Sequence, residues 1–151
     1  MRLLISAYAC EPGTGSEGGH GWNYPSALAK RGHQVYAIVP TRWRQGVEEE
    51  LSRSLDDLRF IFVAERTWPM RLGWTLGSAL RYFLWQWDAS QAALRAEAVH
   101  HFDLVHHVSY GSLLGASFMW RLGKPFVFGP TGGGQTAPAA FLSYFGSFRR
   151  S

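Results

Sequence analysis

Cysteine is almost absent from this chain of 151 residues: Cys10 stands alone. One thiol cannot close an internal disulfide, so a reducing compartment such as the cytoplasm is expected. A zinc site of the cysteine-rich structural kind is excluded as well. Lysine is nearly as scarce, with Lys30 and Lys124 carrying a basic side otherwise made of arginine. The surplus of 15 Lys+Arg over 11 Asp+Glu, +4 in all, forms no clustered stripe, so nucleic acid is not an expected partner. Long uncharged apolar runs are missing too. Leu3, Leu4 and Ile5 make too short a stretch for a signal peptide. Trp68 to Trp87 is interrupted by Arg71 and Arg81, whereas a spanning helix needs roughly 20 nearly uncharged residues.

Core-forming residues are plentiful. Apolar residues are 46% of the chain, aromatics 15% and charged residues 17%, which suits one folded domain over 1–151 and not a disordered chain. Five short β-like runs stand out: Arg2 to Tyr8, Gln34 to Val39, Arg59 to Val63, Asp103 to Val108 and Pro125 to Phe128. They are apolar throughout and do not alternate, the pattern of parallel strands covered on both faces. Helical patterns separate them. One, Gly18 to Arg31, carries Trp22, Ala27 and Leu28 and stops at Gly32. A second, Gln45 to Leu55, repeats Val47, Leu51 and Leu55. A long third runs from Leu72 to His100, with Leu76, Leu80, Phe83, Leu84 and Trp87 as its expected core stripe. A fourth spans Gly111 to Leu122, before Gly123 and Pro125. The alternation predicts a doubly wound, mostly parallel α/β sheet with helices on both faces. Ala139 to Arg150 begins a further helix close to Ser151, the mark of a domain cut short.

In such a sheet ligands bind at the carboxyl ends of the strands, so the loops there carry the chemistry. The first, Ala9 to Gly21, holds five glycines (13, 15, 18, 19 and 21) and opens a helix whose free N–H groups can hold an anion. Gly129 to Thr136 is the second, with Gly132, Gly133 and Gly134 in a row. Phosphate or sugar contact is the functional reading; flexible surface turns are the alternative. Gly13, Gly15 and Gly18 also spell G-x-G-x-x-G, but no acid follows the second strand, where dinucleotide binding wants one. Arg42 or Arg44 could read a 2′-phosphate instead, which keeps an NADP-dependent oxidoreductase as an alternative. There is no P-loop, since no Lys-Ser or Lys-Thr follows the glycines. His106 and His107 end the fourth strand on opposite faces, so at most one of them faces a given site. The histidines have no metal-ligand spacing. The aromatic, arginine-bearing stretch Trp68 to Trp87 reads either as a helix packed on the sheet or as one lying on an anionic membrane surface. A non-catalytic docking module is therefore a further alternative.

Taken in order, the motifs resemble a known family. The opening from Arg2 to Pro12, with Gly15-Ser16-Glu17-Gly18 and Gly21-Trp22, is similar to that of glycosyltransferase family 4 proteins of the GT-B fold. So are Gly32-His33-Gln34-Val35, Asp103-Leu104-Val105-His106-His107 and Pro125 to Gly134. The resemblance implies the acceptor-side half of a retaining glycosyltransferase. Such an enzyme moves a sugar, as hexosyltransferases do, from a nucleotide-diphosphate donor to a hydroxyl acceptor, without a cofactor or metal. It implies that Gly18 and Gly19 face the donor phosphates. It also implies that a histidine after strand four touches the transferred sugar. That role falls to His107, with His106 as the alternative, because the family's usual second histidine position holds Val108 here. Glu17, Tyr110, Gly132, Gly133 and Gly134 shape the acceptor side. The donor-binding C-terminal domain is missing, so the isolated chain is expected to be inactive. A peripheral position at the inner membrane face is also implied.

Overall fold

The computed structural model describes residues 1–51, 57–112, 115 and 117–132. Five strands, β1 (Arg2–Ala7), β2 (Gln34–Pro40), β3 (Leu58–Val63), β4 (Leu104–Ser109) and β5 (Phe126–Phe128), form one sheet in the order β3-β2-β1-β4-β5. Every pairing is parallel. β1 and β2 are buried along nearly their whole length. That is why their sequences are apolar without alternation.

Helices cover both faces. α1 (Ser16–Lys30) and α2 (Arg44–Leu51) bring Trp22, Ala29 and Val47 against Leu3, Ile5, Val35 and Ala37. α3 (Trp74–His100) brings Trp85, Ala89 and Ala93 against Leu4, Tyr36, Ile38 and Val105 on the other side. Gly32, at φ +82°, turns the chain out of α1 as its glycine promised.

Three expectations change. Ala29, and not Ala27, completes the inner face of α1. The inner face of α3 is built of Gly77, Trp85, Gln86, Ala89 and Ala93. Leu76, Phe83 and Trp87 lie exposed on the other side, and Leu80 and Leu84 are only half-buried. The small Ala89 and Ala93 pack α3 onto the sheet, and at Gly77 an added Cβ would sit 2.5 Å from the carbonyl oxygen of Pro69, in the 3-10 turn Trp68–Leu72 just before the helix. The bulky stripe has no room on that side. The helix read over Gly111 to Leu122 is reduced to a 3-10 turn at Met119–Leu122. Gly111, Ser112, Gly115, Ser117 and Phe118 are not helical. Ser112 instead forms a parallel bridge to Gly132. The backbone groups of Gly111 are bonded to Glu17 and Gly132, and cannot start a helix. Leu55 and the Ala139 to Arg150 helix lie outside the described residues.

Close approach also explains one glycine of the first loop. A Cβ at Gly21 would meet the Ala9 carbonyl oxygen at 1.8 Å, so α1 crosses the loop through that gap. At Gly46, on α2, an added Cβ would come only within 4.0 Å of Pro12 Cδ, an ordinary contact. Gly21→Ala should cost about 3 kcal/mol or more, whereas Gly46→Ala should stabilise by about 0.5–1 kcal/mol through helix propensity. Urea denaturation midpoints of the two variants check both signs.

Candidate functional site

The order β3-β2-β1-β4-β5 places a topological switch point between β1 and β4, where α1 and the chain after β4 leave toward opposite faces. Ser109 ties the two strand ends together. Its Oγ–H donates to the Ala9 carbonyl at 2.9 Å, and the same oxygen accepts from the Ala9 N–H at 3.1 Å. Tyr8 N–H donates to the Ser109 carbonyl beside them.

Over this crevice the glycine-rich loops converge. Glu17, in the first turn of α1, accepts a hydrogen bond from Gly111 N–H at 2.9 Å. The Gly111 carbonyl in turn accepts from Gly132 N–H at 2.7 Å. Glu17, Tyr110 and Gly132 are thereby gathered at one rim, with Gly111 as the link that sequence reasoning missed. A Cβ on Gly111 would meet the Pro130 carbonyl oxygen at 2.0 Å. Gly133 and Gly134 lie outside the described residues.

Gly18 and Gly19 have different circumstances. Gly19 N–H already donates to Gly15 at 3.3 Å, and a Cβ there would strike the Thr14 carbonyl at 2.2 Å. Its lack of a side chain serves the loop folding back on α1. The first-turn N–H groups ahead of it, Gly18 included, have no helical acceptor, and no side chain caps them. N–H groups at such a helix start are able to hold an anion.

The two histidines take opposite faces, as strand geometry requires. His106 sits on the α1 side, edge-on to Tyr24 at 5.7 Å, its Nε2–H donating to the Gly129 carbonyl at 2.7 Å. His107 is 0% exposed on the α3 side, against Phe128 at 4.9 Å. Its Nε2–H donates to the Tyr110 carbonyl at 3.1 Å. With no exposed surface, the ring reaches no ligand in this arrangement. Burial pulls its pKa down to about 4, partly opposed by the bond to Tyr110, so the imidazole is neutral. His100 belongs to the framework, its ring 4.4 Å from that of Tyr36.

Beside the switch point lies a second group that the sequence did not single out. Tyr8 Oη–H donates to Glu65 at 2.6 Å; Arg42 pairs with the same carboxylate, and Arg81 Nε lies 3.5 Å from it. Arg42 also stacks over Tyr8 at 4.4 Å and donates to its carbonyl at 3.1 Å. The signal was present: Glu65 is a lone acid two residues past the edge strand β3, on the carboxyl rim. Burial, helped by the bond to Glu65, raises the Tyr8 pKa. Arg44, meanwhile, pairs with Glu48 and stacks on Phe62. Of the two arginines proposed for a 2′-phosphate, Arg42 is thus tied to Glu65 and Tyr8, whereas Arg44 makes a solvent-exposed pair. Cys10 is buried against the Gly21 carbonyl, its thiol pushed up to about 12 by desolvation, and is unreactive. Among the described residues no cluster of His, Cys, Asp and Glu is suited to a metal ion. No described helix is long and apolar enough to cross a membrane.

A parallel sheet with both faces covered and its binding loops gathered at the switch point is a Rossmann-like α/β domain, consistent with one half of a GT-B glycosyltransferase. The family model for Glycosyltransferase Family 4 matches residues 23–150, and the chain belongs to that family. The matched span holds the β4 motif and the loop after β5; the first glycine-rich loop precedes it. No curated protein matches the chain.

The neutral His107 sets a pH dependence. The unfolded chain takes up this proton near 6.5, the folded chain only near 4. Acid therefore favours the unfolded state across that window. The His107 contribution is complete above pH 6.5 and is lost as the pH falls toward 4, by about 3 kcal/mol in all. Thermal unfolding of the wild type should lose stability over this range more steeply than that of His107→Gln, and matching slopes would refute the burial of a neutral ring.

Proposed function

We propose that this chain is the acceptor-side domain of a retaining glycosyltransferase. It serves transfer of a sugar, of hexosyl type, from a nucleotide-diphosphate donor to a hydroxyl acceptor. The observation that carries the reading is the hydrogen-bonded run from Glu17 through Gly111 to Gly132 across the β1/β4 crevice, in a chain of Glycosyltransferase Family 4. The free first-turn N–H groups of α1, Gly18 among them, face the donor diphosphate and its developing charge. Glu17, Tyr110 and Gly132 serve the acceptor side, a role proposed for Gly133 and Gly134 as well. His107 acts from beneath: by holding the Tyr110 carbonyl it sets the turn that carries Gly111, and it is a positioning residue.

One rim supplies one wall of a cleft. The leaving diphosphate needs fixed donors on both sides, and a C-terminal donor domain provides the second wall. Transfer therefore requires both walls. No metal or cofactor takes part. The pairing of Arg42 with Glu65 weighs against the NADP-dependent oxidoreductase.

Melting in the presence of UDP-glucose, GDP-mannose or NADPH separates the readings. A nucleotide sugar bound to half a site at about its Kd should raise Tm by roughly 1–2 °C without turnover, and NADPH should leave Tm unchanged. Stabilisation by NADPH alone would overturn the transferase reading.

The outward aromatic stripe supports an anionic membrane as a further partner and a peripheral position at the cytoplasmic membrane face. Trp74 is 79% exposed, Trp120 is 62% exposed, and Trp68, Phe83 and Trp87 are also on the surface. Phe118 joins Phe83 and Trp87 edge-on, and Arg121 stacks over Trp87 at 4.5 Å. Amphipathic surfaces of this composition settle at lipid headgroups. Sedimentation with phosphatidylglycerol vesicles should show salt-sensitive binding, absent with phosphatidylcholine. Trp74→Ala with Trp120→Ala should weaken it about tenfold or more. Equal binding to both lipids would remove the membrane from the reading.

A further inference from the structure

Behind the rim, on the α3 side of the sheet, lies a group of polar side chains that the transfer reading does not use. Ser6, Gln86 and His107 are all 0% exposed. Ser6 Oγ, Gln86 Oε1 and His107 Nδ1 are buried and have no hydrogen-bond partner among the described residues, while the Gln86 amide nitrogen lies against Tyr82 Oη. The fold puts these groups on one side of the sheet. Ser6 and His107 are register partners on β1 and β4. They share the α3 face with Leu4, Tyr8 and Val105, since every second residue of a strand points the same way. Tyr82 and Gln86 are one turn apart on α3. The Tyr82 ring stacks 5.4 Å from that of Tyr110, whose carbonyl His107 holds.

The chemistry of these atoms points to what joins them. A carbonyl only accepts, so the bond to Tyr110 requires the proton on His107 Nε2. Nδ1 is then an acceptor in want of a donor. Gln86 offers two amide hydrogens and one acceptor oxygen, and Ser6 offers a hydroxyl that does both. Burying such groups unpaired is unfavourable for each. Clusters of this kind in protein interiors are met by water, which makes about three hydrogen bonds in such sites.

We propose that Ser6, Gln86 and His107 bind an ordered internal water. The water donates one hydrogen to His107 Nδ1 and the other to Gln86 Oε1, and it accepts from Ser6 Oγ–H. Gln86 thereby becomes a positioning residue for His107, fixing the ring's tautomer and plane. The ring holds the Tyr110 carbonyl, and the next residue, Gly111, donates to Glu17 at the rim. A line of hydrogen bonds runs from the helix-covered core to the binding edge. The water site stands whatever the rim binds, so failure of the transfer reading leaves it untouched.

A high-resolution crystal structure of this chain should show a water in hydrogen-bond contact with His107 Nδ1 and with Ser6 or Gln86. Nitrogen-15 spectra should show His107 with Nε2 protonated and Nδ1 accepting a bond. Gln86→Leu, close in size, should lower Tm by roughly 2–4 °C or more and move the His107 resonances. Ser6→Ala, a smaller change that keeps the fold, should move them in the same sense. A Gln86→Leu protein that melts higher, or that leaves the His107 resonances in place, would overturn the proposal. So would a direct Gln86–His107 bond with no water between them.

Discussion

β1 and β4 are distant in sequence and adjacent in space, and the hydroxyl of Ser109 bonds both backbone groups of Ala9 across their ends. The elements that follow the two strands pack on opposite faces of the sheet. The loops between must therefore diverge over a crevice, and parallel sheets of this order bind ligands there. The run from Glu17 to Gly111 to Gly132 depends on that adjacency. If β4 paired elsewhere, Gly111 would not lie beneath α1, and Glu17 would face solvent.

The glycines of the two loops answer to two different demands. Gly19, Gly21 and Gly111 are glycines because neighbouring carbonyl oxygens stand where a Cβ would be. Gly13 and Gly15 have open space around them. Much of the glycine content of these loops thus serves compaction of the rim. That compaction turns the uncapped first turn of α1 toward the crevice and makes a wall that a phosphate-bearing ligand can approach.

The two faces of the sheet divide the work. The α1 face is almost wholly apolar, built from Ile5, Trp22, Val35 and their neighbours. The α3 face carries the polar minority, Ser6, Gln86 and His107, close behind the site, with the tyrosines at positions 8, 82 and 110 in edge and stacking contact. Polar groups in a core are tolerated where they form a satisfied network, and such networks specify one arrangement of side chains. Here that network touches the loop after β4, the one that links the two glycine-rich segments.

Strand positions were legible in the chain because burial on both faces leaves a local trace, a run of five or six apolar residues between turn formers. So was the carboxyl rim as the place of the site, since βα alternation dictates it. The inward side of α3 was not legible. Its aromatic stripe has the helical period that normally marks a core, but which stripe faces in depends on how near the helix can come to the sheet. Ala89 and Ala93 decide that through space-filling. The segment after β4 has the composition of a helix, yet Gly111 and Ser112 are drawn into bonds with residues far away in the chain. Which of the two histidines is the buried one, and that Glu65 pairs with Arg42, were likewise not legible. Local periodicity reports the environment averaged along one element, whereas these features arise where several elements meet. The amino-acid order alone thus determined the fold class and the edge that carries the site. Only the tertiary structure decided which side chains reach that edge, because contact between distant segments has no period in sequence.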